Sequence, residues 1–365
     1  MLVSNDLQHD QRIRKVCDTL LDLNYEILLV GRKLESSTDF VRPYPTKRLK
    51  LFFTKGALFY AALNFRLFFF LLFRKTNVIL ANDLDTLLPA FLISKLKRVD
   101  LVYDSHEYFT EAEGLTGRAF QKGVWLKIER WIFPKLKRVY TVNDSIADNY
   151  RNQYSVDVKV VRNIPLLTPL GFLRSRIELG LPEDKKIILL QGAYIDPDRG
   201  GVELIEAMLL VENVLLLIIG SGRDIAKLTA LVDILKLDDK VRILGKMPFD
   251  ELRQYTSNVD LGLSLDKPLH LNYTLSLPNK LFDYIHAGIP VLVSDLPELR
   301  RIVDDYKVGM IVKKVEPSTV AEAINTALNH PDYLQWKSNC VIAREQLNWQ
   351  KEEKVLKEIF FVELV

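Results

Sequence analysis

Short runs of leucine and β-branched residues alternate along the chain with longer stretches in which apolar positions recur every three or four residues. Residues 26–30, 78–80 and 101–103 supply apolar runs in the first half. Residues 187–190, 214–219, 241–244, 261–264 and 290–293 supply those of the second, each followed by a helical pattern. Runs this short and this continuous read as strands buried on both faces, and strands that alternate with helices build βαβ units on parallel sheets. The rhythm breaks after residues 158–161, where Arg162, Asn163, Ile164, Pro165 and then Pro169 suit neither a helix nor a central strand. It resumes at residue 186. The pattern predicts an α/β chain of two doubly wound, Rossmann-like domains facing a cleft, residues 1–164 and 165–348, with ligands at the carboxyl ends of the strands. A last amphipathic stretch rich in Glu and Lys, residues 349–361, predicts one more helix.

The most apolar stretch, residues 51–73, approaches spanning length but carries Lys55, Asn64 and Arg66, and its uninterrupted part, residues 67–73, is too short to cross a bilayer. Phe65, Phe68, Phe69 and Phe73 recur there at helical spacing beside Arg66, Arg74 and Lys75. Such a segment suits either the core of the first domain or the interface of an anionic membrane, reached through residues 47–75. The first ten residues lack the basic start and apolar stretch of a secretory signal, so a cytoplasmic protein is expected, peripheral on the inner face of the membrane if the segment does touch lipid.

Composition narrows the field. At 365 residues the chain suits two domains, and a net charge of +3 on 50 basic and 47 acidic residues gives no overall field to favour nucleic acid. Cys17 and Cys340 stand far apart in a chain long enough to need no staple and are expected to be packing residues. No His, Cys, Asp and Glu constellation has metal-ligand spacing, so neither metal nor cofactor is expected.

The segment with the sharpest chemistry runs from Leu277 through Pro278, Asn279, Lys280 and Asp283 to Gly288 and Pro290. Pro278 suits a helix start and Gly288 its C′ position, which places a helix over residues 279–287. Its N-terminal N–H groups and Lys280 can hold a diphosphate, and Asp283, one turn on, can accept from ribose hydroxyls; an ordinary capped surface helix has the same pattern. Glycines and cations also gather at three further strand-to-helix turns: Gly192 with Arg199, Gly222 with Arg223, and Lys246 with Met247. In the first half Asp104, His106 and Glu107 follow one strand run, while Asn5, Asp6 and Asp83 follow two others, where helix capping is as good a reading as ligand binding.

The segment from Leu277 to Pro290 resembles the donor-site motif of retaining GT-B glycosyltransferases of family 4, and the resemblance extends over nearly the whole chain. It implies transfer of a sugar from a nucleotide-sugar donor to a glycan or lipid-linked acceptor, as in polysaccharide biosynthesis, with retention and without metal. It implies a donor site of Gly192, Arg199, Gly222, Arg223, Lys246, Met247, Leu277, Asn279, Lys280 and Asp283. His106 and Arg199 are then the catalytic groups, and Asn5, Asp6, Asp83 and Glu107 lie on the acceptor side. It further implies that the C-terminal helix, residues 349–365, packs back on the first domain. Two departures stand out: Leu275 occupies the place of the family's first glutamate, and Ala193 that of a usual arginine. They leave room for a nucleotide-sugar epimerase of the same fold or a non-catalytic sugar-nucleotide-binding protein. A dehydrogenase is disfavoured by the lack of a G-x-G-x-x-G turn with its ribose-binding acid.

Overall fold

A computed structural model describes residues 1–361 apart from residues 9, 36 and 170. The chain forms two compact units, one of residues Met1–Asn163 together with the chain from Lys351 onward, the other of residues Ile164–Gln350. The crossover points therefore lie at Asn163 and Gln350, next to the proline-rich break at 165 and just inside the last helix.

In the first unit the strands are β1 (Leu29–Arg32), β2 (Thr46–Leu49), β3 (Val78–Asn82), β4 (Asp100–Ser105), β5 (Arg138–Thr141) and β6 (Val158–Val160). All pair in parallel, β1 with β2 and then β3 to β6 in order. Leu2 joins the two groups, bridging in parallel to both Val30 and Ala81. Its N–H donates to Leu80 O at 2.9 Å and its carbonyl accepts from Asn82 N at 3.1 Å, so three residues at the amino end do the work of a central strand. The terminal helix Trp349–Phe360 belongs to this unit from Lys351 on. Arg162 meets Glu352 there (3.2 Å), Thr19 Oγ1 donates to Glu353 (3.4 Å), and Tyr25 Oη donates to Phe360 O (2.8 Å).

The second unit holds β7 (Lys186–Gly192), β8 (Val214–Gly220), β9 (Val241–Leu244), β10 (Leu261–Ser264), β11 (Val291–Ser294) and β12 (Gly309–Val312) in one parallel sheet of order β12-β11-β10-β7-β8-β9. The order reverses between β7 and β10, which is the switch point where open α/β sheets bind ligands. Alternation explains the continuous apolar runs. Ile188, Leu190, Leu216 and Ile218 enter one hydrophobic cluster, while Ile187, Leu189, Leu215 and Leu217 enter the cluster on the opposite face. Gly262 on β10 marks a close approach, since a Cβ there would lie 2.3 Å from the Tyr284 ring. Its absence lets the Tyr284 hydroxyl reach into the sheet and donate to Leu189 O at 3.0 Å.

The phenylalanine-rich segment is the helix Gly56–Leu72. Phe59, Leu63, Leu67 and Leu71 form its buried stripe, one residue every four positions. Phe65, Phe69 and Phe73 lie outside that stripe at 66%, 41% and 81% exposure, whereas Phe68 is half-buried. The helix thus has a buried stripe on one face and exposed phenylalanines outside it. Among the described residues no helix is long and apolar enough to cross a membrane. Cys17 and Cys340 are both free and buried.

Candidate active site

At the switch point of the second unit, Asp266 sits two residues beyond the end of β10 with no solvent exposure. Arg199 Nη1 donates to its Oδ1, and Lys280 Nζ stands 3.5 Å from its Oδ2, which also accepts from Ser264 Oγ at 2.7 Å. Ser294 Oγ donates to the Asp266 carbonyl at 2.6 Å, fixing the loop. Burial by itself raises a carboxyl pKa, yet Lys280 and Arg199 hold that of Asp266 down to about 2. Lys280 is lowered to about 8, because burial and the neighbouring Arg199 cation penalise its ammonium more than Asp266 supports it. The trio carries two cations against one carboxylate. Arg199, raised by Asp266 against its burial, spends one N–H on that carboxylate and leaves the rest of its five-donor fork for an anion, with Tyr273 under its guanidinium at 4.7 Å.

The helix forecast over residues 279–287 is Asn279–His286, with Pro278 before it and Gly288 beyond. It is a mostly buried helix rather than an exposed one: Lys280, Leu281, Phe282, Tyr284 and Ile285 are all covered. Asp283 is half-buried and accepts from Gln191 Nε2 at 3.1 Å, and Thr256 Oγ1 donates to Gln191 Oε1 at 2.7 Å, which fixes the amide's orientation. Gly192 follows Gln191, and an added Cβ there would meet nothing closer than 3.6 Å. Space remains over that backbone.

The neighbouring turn is built differently. Gly220 and Gly222 both have φ of +152°, and a Cβ on Gly222 would lie 2.2 Å from Ile195 O, so these glycines serve the packing of two loops against each other. Arg223 is mostly exposed and its Nε donates to Asp196 at 3.1 Å. Lys246 and Asn279 are exposed, while Met247 and Leu277 are half-buried against the hydrophobic cluster. Arg199 and Lys280 are thus joined through Asp266, and Asp283 is joined to Gln191, the chain neighbour of Gly192, whereas Lys246, Met247, Leu277 and Asn279 show no such side-chain link.

In the first unit, His106 follows β4 and is held from several sides. Its Nε2 lies 3.2 Å from both Asn82 Oδ1 and Asp104 Oδ2, its Nδ1 is 3.6 Å from Asp83 Oδ2, and its backbone N–H donates to Asp83 Oδ1 at 2.8 Å. Burial lowers the imidazole pKa, but the two aspartates outweigh it and raise it to about 9, so His106 is a cation at neutral pH. Asp104 is locked in turn by Arg12, which donates from Nε (3.0 Å) and Nη2 (2.7 Å) and pulls the buried carboxyl to about 2. Asp83 stands at the start of the helix Leu84–Lys97 with φ of +59°, its side chain turned to His106 rather than capping that helix. A non-glycine residue in that region marks strain of the kind found at functional sites. Asp10, by contrast, is a plain N-cap, accepting from Ile13 N at 3.0 Å. Asp6 is committed to Arg48 (2.9 Å) and Ser37, Asn5 is exposed with its carbonyl bonded to Arg32 N, and Glu107 is half-buried with its carbonyl accepting from Ser105 Oγ.

Sequence reasoning overlooked Asp266, the residue that joins the two cations. Its signal was available as Leu265 and Asp266 directly after Ser264, the last residue of a strand that ends at the switch point. Among the described residues, no group of three or more His, Cys, Asp or Glu side chains gathers as metal ligands do.

Residues 173–340 match the family model described as glycosyl transferases group 1. A curated relative, chitobiosyldiphosphodolichol beta-mannosyltransferase of Candida albicans, is 26% identical over 144 residues. The match spans 37% of this chain and about a third (31%) of the relative's length. Among solved structures, sucrose-phosphate synthase of Thermosynechococcus elongatus superposes with a TM-score of 0.75 at 18% identity, covering 96% of this chain and 92% of its own. Anabaena HepE, solved with UDP and glucose, gives 0.73 at 16% identity over 98% and 97%. The chain thus has the GT-B fold, and the region that matches the glycosyl transferases group 1 model fills most of its second unit.

Proposed function

We propose that the chain moves a sugar from a nucleoside-diphosphate sugar to a glycan or lipid-linked acceptor, with retention of anomeric configuration and no metal requirement. The observation that carries this reading is the pair Arg199 and Lys280 converging on one buried carboxylate at the switch point, with Asp283 on the next turn of the same helix. A diphosphate arriving there meets a net positive charge that is already ordered and poorly hydrated, where it acts more strongly than in water. Charge builds on the leaving diphosphate as the glycosidic bond breaks, so Arg199 and Lys280 stabilise departure, and Asp283 accepts from the ribose. His106, charged at neutral pH, is assigned to polarising the reacting groups. It cannot serve as a general base while the aspartates keep it protonated.

The name of the Candida relative, with its diphosphodolichol acceptor, favours a lipid-linked acceptor here too. The exposed Phe65, Phe69 and Phe73, flanked by exposed Arg66, Arg74 and Lys75, favour contact with an anionic membrane surface. A cytoplasmic location on the inner face follows from that reading. Screening nucleoside-diphosphate sugars by thermal shift, then supplying the stabilising donor with lipid-linked acceptors, tests the function. A product whose anomeric proton coupling matches the donor supports retention. Donor converted to its epimer without any acceptor would instead assign the chain to the epimerases, and no stabilisation by any nucleoside diphosphate would refute the donor site.

A further inference from the structure

The amino ends of β4 and β5, at the opposite edge of the first unit's sheet from His106, border a pocket of about 380 Å³. Phe91, Val99, Leu101 and Leu136 give it an apolar floor, and Lys95, Arg98, Lys135, Lys137 and Arg138 surround it with five cations against the single carboxylate of Asp100. Only Arg138 is paired with that carboxylate, at 3.3 Å, and its Nη1 is shielded from solvent without a hydrogen-bond partner. Lys95 and Lys135 lie over aromatic rings instead, Lys95 over Phe91 at 5.4 Å and Lys135 over Trp131 at 4.7 Å.

A helix C-terminus attracts cations, and the end of the helix Leu84–Lys97 accounts in that way for Lys95 in its last turn and Arg98 at its C-cap. It does not account for Lys135, Lys137 and Arg138, which arrive from another segment. Like charges gathered around one concavity repel each other, and the buried Arg138 Nη1 has no hydrogen-bond partner in the protein, so an anion bound there would offset the repulsion and offer that donor an acceptor. Its volume falls in the range of small-ligand sites.

We propose that this pocket is a second anion site, binding the phosphate group of a phosphomonoester or diphosphate, independent of the donor site in the other unit. The phosphate can come from a lipid headgroup or from a soluble compound. The bonds from Lys97 to Leu71 and Arg74 tie the pocket's helix to the end of the phenylalanine-rich one.

Isothermal titration of the full chain with inorganic pyrophosphate tests the site in the parent, in Lys95→Ser/Lys135→Ser and in Arg199→Ala. Both lysines are exposed, so the double variant is expected to keep the parent's melting temperature. One binding event should weaken by about tenfold or more in the double variant, as the loss of two cations near an anion implies, and persist in Arg199→Ala. Isotherms of the double variant that match the parent's would overturn the proposal, as would a single event lost only with Arg199. Sedimentation with phosphatidylcholine vesicles carrying phosphatidic acid identifies the source: retention that the double variant abolishes and pyrophosphate displaces assigns a lipid headgroup. Pyrophosphate binding with no preference for those vesicles assigns a soluble phosphate.

Discussion

Replacing Asp266 by Asn keeps the shape of the side chain and removes the one charge that reconciles Arg199 with Lys280. Lys280 and Arg199 hold the buried carboxyl down to about 2, well below the ordinary carboxylate range, a depression that corresponds to stabilisation on the order of 2 kcal/mol. Because its folded value is depressed, Asp266 contributes this stability above about pH 4 and loses it as the pH falls toward 2. The substitution also strands the buried Lys280 and the half-buried Arg199, so the full cost at pH 7 is expected between about 2 kcal/mol and the roughly 5 kcal/mol typical of a broken buried pair. For a domain of this size each kcal/mol moves the melting temperature by roughly 2–4 °C, so the second unit should melt about 5 °C lower or more. Differential scanning calorimetry of parent and variant at pH 7 measures the gap, and repeating it toward pH 3 should show the gap narrowing. Pyrophosphate should restore more stability to the variant than it adds to the parent, since it takes the place of the missing charge. A variant that melts with the parent at pH 7, with or without pyrophosphate, refutes the account of the trio as a charge-balanced anion trap.

Gly192→Ala should fold normally, because its Cβ would find no contact under 3.6 Å, yet bind nucleoside diphosphates more weakly by isothermal titration; unchanged affinity would mean that no ligand approaches this backbone. Asp283→Ala should lose about 1–3 kcal/mol of nucleotide affinity, and equal affinity for a nucleoside diphosphate and bare pyrophosphate in the parent would speak against a ribose contact. His106→Asn should destabilise the first unit below pH 6.5, and the difference should fade as the pH rises through about 9, where the native histidine loses its proton; pH-dependent melting curves read this directly. Phe69→Asp/Phe73→Asp should abolish sedimentation with anionic vesicles while leaving the circular dichroism spectrum intact, and retained sedimentation would place lipid contact elsewhere.

The second unit was readable because all of its signals agree. Buried parallel strands need unbroken apolar runs, and the forecasts at 241–244 and 261–264 match β9 and β10 residue for residue. The proline and glycine that bracket Asn279–His286 act locally, so that helix was also visible. What escaped depends on residues distant in sequence. β12, Gly309–Val312, is a four-residue strand at the sheet's edge with only one fully buried side chain, too weak a signal on its own. Asp266 looks like any polar residue after a strand until Arg199 and Lys280, 67 and 14 positions away, fold onto it. The charge state of His106 is equally non-local, since Asp83 reaches it only through a strained backbone at the start of another helix.

The second unit is inserted, as a sequence, between two parts of the first, and this sets an order for synthesis. Residues Ile164–Gln350 can close their own sheet as soon as they emerge, because all six of its strands lie within that stretch. The first unit begins earlier and finishes later. Glu352, Glu353 and Phe360 must reach back to Arg162, Thr19 and Tyr25, the last a partner 335 positions upstream, before its surface is covered. Until then the buried Leu356 and Phe360 have no site to fill, and the ring of Tyr25, which packs edge-on against Phe360, stays uncovered. A ribosome stalled short of residue 351 would therefore hold a finished second unit beside an unfinished first one, and chaperones that recognise exposed apolar surface should be recruited to the amino-terminal part of the chain.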